Sequence, residues 1–346
     1  MRSPHAVLAA AAAAAILPCA AQTAPVADLF IRGEKGQCIA CHQVPAGSGP
    51  QVLADLGPRL EGGRMRALGK PAIRAAIVDP TRANPDTVMP PFGRHRVLEA
   101  AEIDRLVDYL HALPASPADG PTPAASAGED ALAEAQSHAG DVAAVIEAGR
   151  KLWTAKFKNG RTLASCFPNG GRRVAAMYPL YDAGLKKVVT LETAVNQCRK
   201  THGEALFDAT DPATMGAVMA YVRSLSNGQK IALRVPQAAQ ERLEQGRRLY
   251  YTRMGQRNYA CASCHVKGAG KRFNEAVLSA AAGQATQWPL VRAGGAVTAQ
   301  ARMRECLELM GAAPFAAGSD ELNHLEYYLT SLSNGMPVKA NAWRPK

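Results

Sequence analysis

The chain has 346 residues, enough for two or three domains, with 47% apolar and 20% charged residues, so buried cores are expected and wholesale disorder is excluded. Beyond the N-terminus no apolar run is long enough to cross a bilayer, which excludes a multi-spanning membrane protein. Lys and Arg number 40 against 29 Asp and Glu, a net +11 that favours anionic substrates or acidic partners; no basic run interleaved with aromatics supports nucleic acid.

Met1-Arg2 precedes the apolar stretch Ala6 to Leu17, and Pro18-Cys19-Ala20-Ala21 supplies small residues at its end. This is the pattern of a secretory signal over residues 1–21, in preference to a buried N-terminal helix. Pro18 fits poorly before an acylated cysteine, so Cys19 is not read as a membrane anchor. Export implies a periplasmic, oxidising location where disulfides persist.

The first unit spans 25–114. It opens with Val26-Ala27-Asp28-Leu29-Phe30, carries Cys38-Ile39-Ala40-Cys41-His42, and closes on Ile103, Leu106, Val107, Leu110 and Leu113, one face of a helix. C-x-x-C-H is the c-type haem attachment pattern. Two thiols, Cys38 and Cys41, add to the haem vinyl groups, and His42 reaches the iron from the same side. A zinc half-site or a thioredoxin-like motif is the lesser reading. For the second iron ligand the best candidate is Met89, in Thr87-Val88-Met89-Pro90-Pro91, where prolines stiffen the loop; Met65 and His95 are the alternatives. A Met/His pair raises the potential and suits electron transfer.

Residues 115–128, rich in Pro, Ala, Ser and Gly, read as a linker. A helix is expected to begin the next unit, over Glu129 to Val145. The remainder repeats itself. Ile146-Glu147-Ala148-Gly149-Arg150-Lys151-Leu152-Trp153 matches Leu243-Glu244-Gln245-Gly246-Arg247-Arg248-Leu249-Tyr250, and Ser224-Leu225-Ser226-Asn227-Gly228 recurs as Ser331-Leu332-Ser333-Asn334-Gly335. Each of the latter ends a helical pattern, the first capped by Asp211 and Pro212, the second by Ser319 or Asp320. The units are 129–230 and 231–346.

The last unit carries the second attachment motif, Cys261-Ala262-Ser263-Cys264-His265. Aligning the copies makes Cys166 the counterpart of Cys261 and Cys198 that of Cys306, while Cys166-Phe167-Pro168-Asn169-Gly170 lacks the second cysteine and the histidine. The first copy is therefore expected to lack haem, its two cysteines either pairing across the empty pocket or remaining free thiols. For the second iron the last unit offers Cys306, with Met303 and Met310 as alternatives. A thiolate is electron-donating and holds the potential low; Arg302 and Arg304 are expected to stabilise it, and Arg302, four residues earlier on one helix face, to hold an oxyanion, with Arg304 and Lys271 the next candidates for that role.

The last two units resemble SoxA, the haem subunit of the SoxAX cytochromes of thiosulfate oxidation, on Cys261-x-x-Cys264-His265, Arg302-x-x-x-Cys306 and the duplicated unit with one degenerate copy. The first unit resembles SoxX, on Cys38-Ile39-Ala40-Cys41-His42, Gly57-Pro58-Arg59-Leu60, Asp79-Pro80 and Val88-Met89-Pro90-Pro91. Normally separate chains, the two are joined here. The resemblance implies an all-α fold of three cytochrome c-like units, the middle one lacking haem, two covalently bound haem c groups, and a Cys166–Cys198 pair. It also implies an L-cysteine S-thiosulfotransferase that joins thiosulfate to a cysteine of the SoxYZ carrier and passes two electrons to a soluble cytochrome c. Cys306 and Arg302 match the family's catalytic residues, with His42, Met89, His265 and Cys306 on the irons. A periplasmic dihaem electron-transfer cytochrome and a thiosulfate dehydrogenase forming tetrathionate are the competing expectations.

Overall fold

In the computed structural model of the protein the described residues are 25–115 and 138–343. The expected signal, 1–21, residues 116–128 of the linker, and the start of the helix expected from Glu129 lie outside them. Among the described residues no helix is long and apolar enough to cross a membrane.

The first segment packs α1 (Val26–Ile31) and α2 (Gly62–Val78) against α3 (Ala100–His111). The expected face of α3 is buried: Ile103, Leu106, Val107, Leu110 and the following Leu113 join Leu29 and Phe30 in one apolar cluster. Glu99 and Glu102 form a reciprocal capping box that starts α3.

The repeat appears as two matched helix crossings. α4 (Ala139–Thr154) packs on α6 (Met215–Ser224), and α7 (Gln240–Tyr251) packs on α10 (Asp320–Ser331). The repeated glycines explain the closeness. A Cβ at Gly149 would lie 1.9 Å from the Ala217 carbonyl oxygen, and one at Gly246 would lie 2.0 Å from that of His324. No side chain fits either crossing, and Trp153 and Tyr250, four residues on, are both buried. Ser319 caps α10 as expected. Asp211 instead accepts from the Thr214 amide at 3.0 Å, capping the turn that precedes α6.

The fold is helix-rich, as expected. Three short antiparallel hairpins accompany the helices: β1 (Leu180–Asp182) with β2 (Lys187–Val189), β3 (Arg272–Phe273) with β4 (Ala276–Val277), and β5 (Leu290–Arg292) with β6 (Gly295–Val297). The first and third are again counterparts. Tyr178-Pro179-Leu180 leads into one and Trp288-Pro289-Leu290 into the other. Each is followed by a threonine-capped helix, Thr190 before α5 (Leu191–Thr201) and Thr298 before α9 (Ala299–Leu309). The strands are two or three residues long, too short for alternation to announce them.

The two copies meet over a buried charge cluster. Glu192 on α5, Arg223 on α6 and Glu326 on α10 line one small cavity with Tyr178 and Thr330. Gln300, on α9, donates to Asn323 at 2.9 Å and to Glu326 at 3.1 Å, and its carbonyl accepts the Gly318 amide at 2.7 Å. Arg223 donates to the Ala285 carbonyl at 2.6 Å. Burial pushes both carboxyl groups up, Glu326 well above the usual range, because one guanidinium offsets only one of two negative charges. In this window the folded chain binds more protons than the unfolded one, so the contribution of Glu326 is full below the ordinary carboxylate pKa of about 4.3 and is lost as pH climbs through its elevated value. Glu326→Gln keeps an acceptor for Gln300 without the charge. Thermal unfolding followed by circular dichroism between pH 4 and 9 is expected to show a flatter alkaline decline in this variant; an unchanged slope would refute the assignment.

Candidate active site

Both attachment motifs present their histidines in the same way. His42 Nδ1 lies 2.6 Å from the Pro58 carbonyl oxygen, and His265 Nδ1 lies 2.8 Å from that of Ser279. A carbonyl oxygen only accepts, so each Nδ1 carries the proton and each Nε2 keeps its lone pair for a metal; the Gln284 side-chain amide, 2.8 Å from the same His265 Nδ1, then turns its oxygen to it. Burial lowers both histidine pKa values, which favours this neutral form. Gly57 lies against the His42 ring: a Cβ there would come within 2.3 Å of Cε1.

Cys38, Cys41, Cys261, Cys264 and Cys306 are free thiols. Burial pushes Cys38, Cys41 and Cys261 up to about 12 and Cys264 up to about 11. Each motif thus supplies two unpaired thiols and an imidazole with an open Nε2, the donor set that covalent haem attachment requires. The residues fit the group at both places.

Met89 is half-buried against the apolar cluster that also packs Cys38 and Ile39, and Thr87 Oγ1 accepts its amide at 3.0 Å. Met65 lies buried in α2 within that cluster. His95 is engaged elsewhere, its Nδ1 2.8 Å from the Gln256 carbonyl oxygen.

In the last segment, α9 carries Arg302 and Cys306 one turn apart, as the spacing predicts. Cys306 lies near enough to raise the pKa of Cys261 and Cys264. Burial raises the Cys306 thiol itself, opposed by Arg302 and then Arg292. Met303 and Met310 are buried core residues. Arg304 donates to the Phe315 carbonyl, and Lys271 is exposed. The cation that joins Arg302 is therefore Arg292, on β5, which donates to Glu305 at 2.9 Å while Arg302 donates to the same carboxylate at 2.7 Å. Sequence reasoning missed Arg292 and Glu305. The hairpin repeat holds the signal, since the position of Arg292 is Asp182 in the other copy.

At the degenerate motif the structure forms the Cys166–Cys198 disulfide. Trp153 fills the interior beside it, donating to the Gly170 carbonyl at 2.9 Å and packing its ring 5.0 Å from Phe167.

The two attachment motifs face each other. The Asn274 amide donates to the Ala40 carbonyl at 2.8 Å, and the amides of Asp55 and Leu56 donate to the Arg272 carbonyl at 3.3 and 3.2 Å. Ala40, Leu56 and Phe273 form a buried apolar contact that includes Cys41. Around it, Arg253 donates to the Thr87 carbonyl at 2.7 Å and the Pro85 carbonyl at 3.2 Å, Arg257 donates to the Gly33 carbonyl, and Lys267 pairs with Asp86 at 2.6 Å.

Known proteins match this layout. The family described as SoxA/TsdA, cytochrome c domain, matches residues 148–231 and 245–338, just over half of the chain. A second description, cytochrome c oxidase, cbb3-type, subunit III, matches residues 22–110. The L-cysteine S-thiosulfotransferase subunit SoxA of Chlorobaculum tepidum is 40% identical over 202 residues, 58% of this chain and 70% of that protein. That of Allochromatium vinosum is 36% identical over 198 residues, 56% of this chain and 70% of its own. The crystal structure of SoxXA from P. pantotrophus aligns with a TM-score of 0.54 at 30% identity, covering 59% of this chain and 78% of that one. Two Cys-x-x-Cys-His motifs, a duplicated helix crossing and a cysteine beside an arginine on one helix thus sit in a chain that belongs to the SoxA family of cytochromes.

Proposed function

We propose that this chain is a c-type cytochrome enzyme, an L-cysteine S-thiosulfotransferase, that joins thiosulfate to a cysteine of a SoxYZ carrier in the periplasm and passes the electrons to a soluble cytochrome c. The observation that carries the reading is the placement of Arg302 and Cys306 on one helix beside Cys264 and His265. The names of the SoxA relatives support it. The chain reads as a signal (1–21), a SoxX-like unit (25–114), a linker (115–128), a haem-free SoxA-like unit (129–230) and a haem-bearing SoxA-like unit (231–346). The disulfide and the buried Trp153 support a middle unit without haem.

Cys38 and Cys41 would hold one haem with His42 and Met89 on its iron, and Cys261 and Cys264 a second with His265 and Cys306. Bound there, haem c supplies a one-electron acceptor at each site for the two electrons released as an S–S bond forms between thiosulfate and a thiol. The remaining work belongs to side chains. The Pro58 and Ser279 carbonyls hold the imidazoles neutral and oriented. Arg302 attracts the dianion to the sulfur of Cys306. One thiol proton and two electrons leave the carrier and thiosulfate together. The contact between the two attachment motifs gives the electrons a short way from the sulfur site to the first segment.

Two haems per chain are expected from pyridine haemochrome quantification, with none on the middle unit; three would contradict the reading. Cys306→Ala is expected to abolish carrier-dependent conjugation and to alter the ligand-sensitive absorption of one haem only. Wild-type turnover in that variant would overturn the assignment, and tetrathionate formation without carrier would favour a thiosulfate dehydrogenase. Met89→Ala is expected to remove the long-wavelength methionine-to-iron absorption while the chain still folds; persistence of the band would pass the role to Met65.

A further inference from the structure

Glu305 immediately precedes Cys306 and sits between two guanidiniums from different elements. Arg302 Nη1 donates to Oε2 at 2.7 Å, and Arg292 Nη1 donates to Oε1 at 2.9 Å and to Oε2 at 3.2 Å. The Arg292 side chain is only 13% exposed, whereas Glu305 is 37% exposed and has room to turn outward. Arg292 Nε is buried and has no hydrogen-bond partner.

An unpartnered buried guanidinium nitrogen is costly and asks for an acceptor. Both oxygens of Glu305 bond Nη1 atoms, and neither reaches Nε. A sulfonate has three oxygens and carries its charge in the same way. Two guanidiniums opposed by one carboxylate leave a single net positive charge, and turning the carboxylate outward restores both cations to an incoming anion.

We propose that Glu305 is an internal stand-in for the sulfonate of the substrate: thiosulfate displaces its carboxylate from Arg292 and Arg302, and Arg292 is the second cation of the anion seat. The inference rests on Cys306 as the place of the chemistry. It makes Glu305 a selectivity device. Weakly coordinating anions such as chloride fail to replace two charge-assisted contacts, while a trigonal group of three oxygens replaces both and satisfies Nε as well.

The test is calorimetric titration of thiosulfate, and of chloride for comparison, into the oxidised holoprotein without carrier, so that no turnover occurs. Glu305→Gln is expected to bind thiosulfate more tightly, because a neutral amide is a weaker competitor for the two cations, and to lower KM in the carrier-coupled assay. Arg292→Met is expected to weaken binding roughly 10- to 150-fold, the span of one charged hydrogen bond. Arg292→Lys, which keeps the charge and loses the fork, is expected to fall between them and guards against a packing defect in the methionine variant. The haem spectrum of each variant checks its fold. Unchanged or weaker thiosulfate binding by Glu305→Gln, equal tightening of chloride, or wild-type affinity in the Arg292→Lys and Arg292→Met variants would each overturn the proposal. Expected binding changes in a protein that never conjugates thiosulfate would overturn the functional reading and leave the anion seat standing.

Discussion

The Nδ1–H bond from each motif histidine to a backbone carbonyl is the constraint around which the rest is arranged. It settles the tautomer, the plane of the ring and the direction of Nε2 before any metal arrives. Each bond closes a loop, from His42 to Pro58 and from His265 to Ser279, so the chain after each motif has to return to it. The return after His42 brings Asp55 and Leu56 against Arg272, and the one after His265 carries the hairpin that supplies Arg272. The loops that orient the imidazoles are thus also the loops that join the first and last segments.

The duplicated segments divide the remaining tasks. Their shared frame is a glycine crossing, a hairpin and a threonine-capped helix, and the differences are concentrated where a ligand would lie. One copy closes its interior with Trp153, Phe167 and a disulfide. The other keeps its thiols free and sets Arg302, Glu305 and Arg292 around Cys306. The closed copy still supports the open one, since Glu192 and Arg223 complete the buried cluster in which Glu326 binds Gln300, two residues before Arg302.

Much of this was legible in the residues themselves. The attachment motifs are covalent chemistry written in consecutive positions, and Arg302 and Cys306 share a helix face by spacing alone. The repeat placed Cys166 opposite Cys198, and the bond between them formed. The helices came with glycine and serine marks at their ends. What escaped depends on contacts distant in sequence. Arg292 reaches Glu305 from a strand of three residues, and Glu192, Arg223 and Glu326 come from three separate helices. Nothing local distinguishes a buried glutamate from a solvated one when its partners lie 31 and 103 residues downstream or upstream along the chain. The hairpins escaped because their strands are shorter than one full cycle of alternation that a reader would trust.

The contact between the first and last segments is made in two ways. Arg253 and Arg257 bind the first segment through the carbonyl oxygens of Pro85, Thr87 and Gly33, and the Asn274 amide through that of Ala40. Every residue presents a carbonyl, whatever its side chain. Lys267–Asp86, Arg257–Gln37 and the apolar contact of Leu56 with Phe273 are read through side chains, and Gly33, Pro85 and Thr87 as backbone shape. A new side chain at one of these three positions leaves its carbonyl contact in place, whereas a change at Leu56 or Asp86 removes the group that its partner meets.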